Sequence, residues 1–273
     1  MYQKSDSSYK IHLEKEQETL LITLYAKALD NRQKRSILND DKAEEMMQKI
    51  VYPFEKLGNM GNDLMVIRAK QMDTWTNDFL KNHSSAIVLN LGCGLDTRVT
   101  RINPQSRILW YDVDYPEVID VRKLFYSNDD EYTMIASSIM ESYWLESIPN
   151  DKPVLIIAEG VLEYLTESDV TLLFSRLTHH FSSGQIIFDC MNAFAVRSGK
   201  DDLKESTGAE HKWTVDKIKD IDQLNEKMTR VNAISLFDSK YVRKLPFKKR
   251  TIYRMMSLFP SFKNMIRLLS YKF

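Results

Sequence analysis

The spacing of apolar residues divides this chain of 273 residues into parts with different predicted structure. From about Thr19 to Leu80, apolar residues recur every three or four positions, which is the period of a helix with one buried face. From Ala86 to Met191, short apolar runs alternate with polar stretches, as in parallel strands joined by crossover helices. These runs are AIVLNL, RILWYDV, YTMIA, PVLIIAE and QIIFDC. The pattern predicts a helical region followed by an α/β sheet.

The remaining sequence predicts two further strands and one helix. The chain after Lys200 is polar until the run RVNAISLF at 230–237, which predicts a strand. The segment NMIRLLSYKF predicts a final strand. The apolar residues expected in the last helix are Tyr253, Met256, Leu258 and Phe259.

Composition and the lack of internal divisions indicate one globular unit. Hydrophobic residues make up 43% and charged residues 28% of the chain, which excludes a disordered or fibrous protein. No repeat or Pro-rich linker divides the sequence. We therefore expect a single domain over 1–273, with a helical cap at 1–85, an α/β core at 86–273 and a lid near 192–215.

An apolar strand runs directly into glycines in the segment AIVLNLGCGLDTR. Gly92 and Gly94 lack a Cβ atom, so the backbone can turn sharply and approach a ligand at the carboxyl end of the strand. The third glycine of a dinucleotide fingerprint is absent, because Thr97 occupies its place. The turn therefore disfavours NAD or FAD and leaves open a nucleoside without a pyrophosphate.

The second strand, RILWYDVDYPEV, ends in two acidic residues. Asp114 lies 20 residues after Gly94. At this spacing the neighbouring parallel strand presents a carboxylate to ribose hydroxyls. A carboxylate accepts hydrogen bonds from two hydroxyls better than a neutral side chain does. Because side chains alternate along a strand, Asp112 and Asp114 share one face, and periodicity does not choose between them.

Three ordered motifs, LNLGCGLDTRVTRI, WYDVDYPEVIDVRK and AEGVLEYL, resemble those of the leucine carboxyl methyltransferase family, whose bacterial members include polyketide O-methyltransferases. The segment IRAKQMD before them and HKW at 211–213 after them extend the resemblance over roughly 20–240. The resemblance implies a class I methyltransferase that uses S-adenosylmethionine. It also implies a Rossmann-like, seven-stranded, mostly parallel sheet with an N-terminal helical cap.

The resemblance implies roles for particular residues. Arg68 in IRAKQMD matches an arginine that pairs with the carboxylate of the cofactor's methionine moiety, a contact that suits a guanidinium fork. Asp114 matches the ribose-binding acid, which leaves Asp112 in support. The other implied cofactor contacts are Gly92, Cys93 and Gly94, largely through backbone, and Glu159 and Gly160 in AEGVLEYL.

Two positions depart from the family pattern. Where many members carry an aspartate that binds the adenine amino group, this chain has Ser138, a weaker acceptor; the resemblance still implies that Ser138 and Ile139 contact adenine. The usual methionine of the third motif is Glu163 here, at a position that is either on the substrate side or on a helix surface.

The implied reaction is methyl transfer to an oxygen of a small molecule. A carboxylate acceptor arrives ionised and needs no general base, whereas a hydroxyl acceptor requires one. His211 and Tyr164 are the candidate bases. Two alternatives remain open: a methyltransferase for the C-terminal carboxylate of a protein or peptide, and a homologue that binds the cofactor without catalysis.

The two cysteines, Cys93 and Cys190, are far apart and belong to no Cys/His cluster, so we expect neither a disulfide framework nor a metal site. The start of the chain has no apolar leader, and no apolar run approaches the length of a spanning helix. We therefore expect a cytoplasmic protein without a transmembrane segment.

The net charge of zero, 38 basic against 38 acidic residues, hides an uneven distribution. Ten of the basic residues and no acidic residue lie in 239–273. This basic segment is either a solvated face that pairs with the acidic remainder or a docking surface for an acidic partner or a membrane. Nucleic acid is not expected as a partner, because the resemblance supplies another function.

Overall fold

A computed structural model describes residues 8–11, 13, 15–57, 61–198 and 210–273. The middle of the predicted lid, 199–209, therefore lies outside the described residues, as do parts of the predicted cap.

The seven predicted strands form one sheet, in the order β3-β2-β1-β4-β5-β7-β6. The first five strands along the chain are parallel, and β7 inserts antiparallel between β5 and β6. The sheet thus confirms the predicted mostly parallel arrangement. The strands are β1 Ala86–Leu91, β2 Ile108–Asp114, β3 Tyr132–Ala136, β4 Val154–Ala158, β5 Gly184–Met191, β6 Thr229–Ser235 and β7 Ile266–Lys272.

Helices cover both faces of the sheet. The helices that come before β1 in the chain form the predicted helical region. Because β1 and β4 are buried along their whole length, their sequences are apolar on both faces rather than alternating, with Asn90 as the polar residue of β1. A further helical stretch is described over 193–198. The helices are α1 Thr19–Asn31, α2 Asp41–Lys49, α3 Asn62–Lys81, α4 Arg98–Ile102, α5 Pro116–Arg122, α6 Tyr143–Glu146, α7 Glu167–His180, α8 Ile218–Asp222, α9 Phe247–Met256 and α10 Pro260–Lys263.

The N-terminal helices pack against the carboxyl edge of the sheet. The Asp40 carboxylate caps α2 by accepting a hydrogen bond from Ala43 N at 3.0 Å. Leu21 and Leu24 of α1 and Met46 of α2 form an apolar cluster that also includes Leu95, which follows the glycine turn. This packing places α1 directly over the end of β1.

The helix predicted to be the last one corresponds to α9 and is shorter than the sequence predicts. Helix α9 contains Tyr253 and Met256 but ends before Leu258 and Phe259. Phe259 is extended because it precedes Pro260, whose ring disfavours helical backbone in the residue before it. Leu258 and Phe259 are both exposed to solvent, so their apolar side chains are not part of the core.

The basic segment 239–273 is divided between the core and the surface. Strand β7 is buried except at its ends, Ile266 and Lys272, whereas no residue of α9 is buried. Lys249 pairs with Asp63 and Lys263 pairs with Asp238. In the part of the chain that the structure describes, no helix has the length and apolar character needed to cross a bilayer.

Candidate active site

Two glycines shape the turn at the end of β1. Gly92 and Gly94 have φ angles of 58° and 51°, a left-handed backbone that favours glycine. A Cβ atom on Gly92 would lie 2.5 Å from Val161 Cγ2, and one on Gly94 would lie 2.8 Å from Leu20 Cδ2. The turn therefore keeps its shape only without side chains, and it leaves backbone exposed to the cavity beside it.

The carboxylate of Asp114 lies beside this turn, at the end of β2. Its Oδ2 atom accepts a hydrogen bond from Gly94 N at 2.7 Å, and its Oδ1 atom accepts one from Tyr115 N at 2.8 Å. Burial raises the pKa of Asp114 to about 6, although the two N–H donors partly offset the effect. The carboxylate is held in place while one edge of it faces a cavity.

Asp112 has a different environment, although it shares a strand face with Asp114. It is fully buried, and its carboxylate pairs with Arg122 of α5. It also accepts hydrogen bonds from Asn90 Nδ2 at 2.9 Å, Trp110 Nε1 at 3.0 Å and Tyr132 OH at 2.6 Å. Asp112 therefore ties β1, β2, β3 and α5 together, and Asp114 is the acid that reaches the cavity.

Arg68 of α3 lies between two carboxylates at the end of β4 and β5. Its Nε donates to Glu159 Oε1 at 3.1 Å, and its Nη1 donates to Asp189 Oδ2 at 2.8 Å. Asp189 also accepts a hydrogen bond from Gly160 N at 2.7 Å. A Cβ atom on Gly160 would lie 3.0 Å from Arg68 Nη2, so this glycine permits the close approach of the guanidinium.

Buried charges behind the glycine turn form an extended network. Glu159 pairs with both Arg68 and Arg98. Burial alone would raise the pKa of Glu159, but the two guanidinium groups outweigh it and lower the pKa below its usual value. Lys27 of α1 pairs with Asp96 at 2.6 Å, which joins the N-terminal helix to this network. Glu159 is thus ionised and fixed at the cavity wall.

Two adjoining cavities of about 580 Å³ and 300 Å³ lie along this edge of the sheet. The larger is lined by Asp114 and Ile139, and the smaller by Arg68, Glu159 and Cys93. Residues that line both are Thr19, Leu20, Gly92, Gly160 and Tyr164. Together they form one elongated site across the carboxyl ends of β1, β2 and β4.

The loop after β3 contributes to the larger cavity through the neighbours of Ser138. Ser137 and Ile139 line it, whereas Ser138 is not among the lining residues. The Ser138 hydroxyl instead accepts a hydrogen bond from Met140 N at 3.2 Å. All other cofactor contacts implied by the sequence resemblance line one cavity or both.

Glu163, Tyr164 and His211 meet in the smaller cavity. The backbone carbonyl of Glu163 accepts hydrogen bonds from Lys212 N at 2.7 Å and Trp213 N, so the HKW segment is fastened to this turn. The rings of Tyr164 and His211 lie 5.3 Å apart. Burial lowers the pKa of His211 and raises that of Tyr164, so both side chains are uncharged near neutral pH.

Comparison with protein-family models identifies the family. The model of leucine carboxyl methyltransferase matches residues 11–178, which include the glycine turn, Asp114 and Glu159. The chain belongs to the leucine carboxyl methyltransferase family. The resemblance read from the three sequence motifs is thereby confirmed.

Two characterised relatives cover most of the chain. The tetracenomycin polyketide synthesis O-methyltransferase TcmP of Streptomyces glaucescens is 34% identical over 94% of this chain and 96% of its own length. The S-adenosyl-L-methionine-dependent methyltransferase dpfgK of Gibberella zeae is 30% identical over 78% of this chain and 80% of its own. This leucine carboxyl methyltransferase family member is accordingly a methyltransferase that uses S-adenosylmethionine.

Solved structures agree on the fold. A putative methyltransferase from Thermobifida fusca has a TM-score of 0.59 at 12% identity. The match covers 90% of this chain and 93% of that protein. A DUF574 family protein from Streptomyces avermitilis also has a TM-score of 0.59, at 9% identity. The match covers 98% of this chain and 99% of that protein. The class I methyltransferase fold predicted from the sequence is confirmed.

Several residues at the site were not singled out from the sequence. Asp189 lies within β5 in the run QIIFDC, and a carboxylate inside a buried strand is the signal that points to it. Arg98 and Lys27 carry no comparable signal, because each lies in a helix of ordinary pattern and meets its partner only in the fold.

Proposed function

We propose that S-adenosylmethionine binds along the elongated site, with its adenosine part in the larger cavity and its methionine part in the smaller one. The observation that carries this proposal is the Asp114 carboxylate, which is fixed by two backbone N–H groups beside a glycine turn and faces the larger cavity. Two ribose hydroxyls donate to such a carboxylate, and the turn without Cβ atoms leaves room for the ligand. The residues present therefore fit this cofactor.

Each lining residue has a binding role in this proposal. Arg68 holds the methionine carboxylate, and Glu159 supplies negative charge near the cationic part of the cofactor. Gly92, Cys93 and Gly94 contribute backbone, and Ile139 contacts adenine together with Ser137. The bound cofactor supplies a methyl group on a sulfonium. The protein aligns the acceptor oxygen and excludes water.

Calorimetric titration with S-adenosylhomocysteine tests the cofactor site. Wild type is expected to bind, and Asp114→Ala is expected to weaken binding by about tenfold or more, since it removes a charge-assisted contact of about 1.5–3 kcal/mol. Asp120→Ala is the matched control, because Asp120 is an exposed acid of α5 that pairs with Lys123. Absence of binding by wild type, or equal affinity in the Asp114 variant, would refute the proposed site.

We propose a small molecule as the methyl acceptor. The relative TcmP is named as an O-methyltransferase of polyketide synthesis, and polyketides are small molecules. Labelled S-adenosylmethionine separates this proposal from its alternatives. Label in small-molecule extracts supports it, label in protein or peptide fractions indicates a C-terminal carboxylate, and cofactor binding without any transfer indicates an inactive homologue.

Two free, buried cysteines suit the cytoplasm as the place of reaction.

We propose further that the basic segment 239–273 docks on an anionic membrane surface. Apolar side chains of α9 and the residues after it are exposed, among them Phe247, Leu258 and Phe259, and the guanidinium of Arg250 lies over the Phe247 ring. Apolar groups flanked by Lys and Arg are the signature of a segment that lies in a lipid interface. The mixture of exposed aromatic and basic residues favours lipid over an acidic protein, because binding to an acidic protein does not require apolar side chains to enter a bilayer.

Sedimentation with lipid vesicles tests this surface. Binding is expected to vesicles that contain phosphatidylglycerol and not to pure phosphatidylcholine, and it should fall with salt. The double variant Leu258→Ser, Phe259→Ser should lose binding, whereas Leu172→Ser, at another exposed leucine, should keep it. Equal binding by both variants, or no sedimentation with anionic vesicles, would contradict membrane docking.

A further inference from the structure

The smaller cavity contains a buried carboxyl group that has no role among the proposed cofactor contacts. Glu163 lies in the 3-10 turn Leu162–Tyr164 after β4, and only 4% of its surface is exposed. Its side chain lines the cavity, and its Oε2 atom has no hydrogen-bond partner among the described residues. A buried polar atom without a partner lowers stability by about 1–3 kcal/mol, so its presence calls for a functional reason.

The charged groups around Glu163 come from three elements. Asp189 of β5 and Glu159 at the end of β4 repel its negative charge, and Arg68 of α3 attracts it. Burial together with Asp189 raises the pKa of Glu163 to about 8. Tyr164 and His211, the other titratable groups at this end of the cavity, are uncharged near neutral pH. Glu163 thus holds a proton with the affinity expected of a general base that works near neutral pH.

The cavity offers little to a negatively charged acceptor. Among the described lining residues its cations are Lys27 and Arg68. Lys27 is paired with Asp96, and Arg68 is paired with two carboxylates and assigned to the cofactor. A second carboxylate beside Glu163 would therefore lack a free positive partner. A hydroxyl group, in contrast, can donate its hydrogen to Glu163 Oε2.

We propose that Glu163 is the general base of this enzyme and that the acceptor is a phenolic or enolic hydroxyl of a small molecule. The inference rests on the proposed cofactor site. The acceptor oxygen forms a bond to the methyl carbon, and its proton passes to Glu163 Oε2. The C–S bond of the sulfonium breaks, and its electron pair stays on sulfur. A cation and a carboxylate thereby become a neutral thioether and a neutral carboxylic acid.

An acceptor screen with matched probes tests the acceptor class. Naphthols are paired with naphthoic acids, and hydroxyanthraquinones with anthraquinone carboxylic acids, in the presence of labelled S-adenosylmethionine. Hydroxyl probes should be methylated and their carboxylic acid counterparts should not. Methylation of the acids alone would overturn the proposal, and so would failure with every hydroxyl probe by a protein that binds S-adenosylhomocysteine.

Variants at Glu163 test its role as a base. Glu163→Gln should lower kcat by about 100-fold or more, the usual contribution of general base catalysis, and Glu163→Asp should retain part of the activity. Glu146→Gln is the matched control, because Glu146 is an exposed glutamate of α6. The affinity of Glu163→Gln for S-adenosylhomocysteine should equal that of wild type, which separates loss of the base from loss of the cofactor site. Full kcat in this variant would overturn the proposal.

Two pH measurements give readouts that a purely structural role would not move. The kcat/KM of wild type for S-adenosylmethionine, which reports the free enzyme, should rise with pH and level off above about 8, and Glu163→Gln should lack this rise. Infrared difference spectra across the same range should show the band of a protonated carboxyl group in wild type and not in the variant. A kcat/KM that falls as pH rises through 8 would instead mean that protonated Glu163 donates a hydrogen bond to a carboxylate, which contradicts the proposal. Failure to bind S-adenosylhomocysteine would refute the proposed cofactor site, separately from these results.

Discussion

The affinity for S-adenosylhomocysteine should fall as pH decreases through about 6, because Asp114 must be ionised to accept hydrogen bonds from the ribose. Burial raises the pKa of Asp114 from 3.8 to about 6 in the free protein. The ionised fraction is nearly complete at pH 8 and about one eleventh at pH 5. The dissociation constant should therefore rise about 11-fold between these pH values, which corresponds to about 1.4 kcal/mol.

Calorimetry at pH 8, 7, 6 and 5 measures this change. Because the bound ligand favours the ionised form, binding below pH 6 should also release protons, which appears as a dependence of the binding enthalpy on the buffer. Asp114→Asn should bind weakly with an affinity that no longer depends on pH in this range. Asp120→Asn, at an exposed acid of α5, should keep the slope of wild type.

Two results would refute this reasoning. A dissociation constant that stays constant from pH 8 to pH 5 would mean that Asp114 is ionised throughout or does not contact the ligand. An equal slope in Asp114→Asn and wild type would assign the titration to another group. The first result would refute either the raised pKa of Asp114 or its contact with the ribose, and the second would refute the assignment of the pH dependence to Asp114.

Three further substitutions test the fold and the site, each by urea unfolding at pH 7. Glu163→Met should raise the free energy of unfolding by about 1–3 kcal/mol, because it removes the unpartnered buried oxygen; a lower stability would contradict this. Arg122→Met should lower it by about 3–5 kcal/mol, because Asp112 is left buried without its cation, and an unchanged midpoint would contradict the assigned role. Gly92→Ala should destabilise through its positive φ and its contact with Val161, and adding Val161→Ala should restore only the part due to the contact.

The sheet could be predicted because its signal is local. Apolar runs such as that of β4, and that of β1 apart from Asn90, arise when both faces of a strand are buried, and the glycine turn follows β1 within the same segment. The end of the last helix was predicted too late, because the apolar period continues through Leu258 and Phe259 although Pro260 fixes the backbone before it.

The charge network at the site could not be predicted from the sequence, because its partners are far apart along the chain. Arg68 meets residues 91 and 121 positions away. Side chains alternate between the two faces of a strand only as far as the strand extends. This alternation therefore could not predict whether Ser137 or Ser138, in the loop after β3, lines the cavity. The same limit applies to Glu163, whose turn directs a charged side chain into the cavity rather than to a helix surface.

The insertion of β7 between β5 and β6 determines the order in which the sheet can be completed during synthesis. When β6 has been made, its neighbour among the described strands, β7, has not, and β5 still has an unpaired edge. A nascent chain at this stage exposes a strand edge that can pair with another chain. Strands β5 and β6 gain their shared neighbour at the same time, and only after β7, Ile266–Lys272, has left the ribosome. Chaperone capture and aggregation of stalled nascent chains should therefore be greatest between β6 and β7.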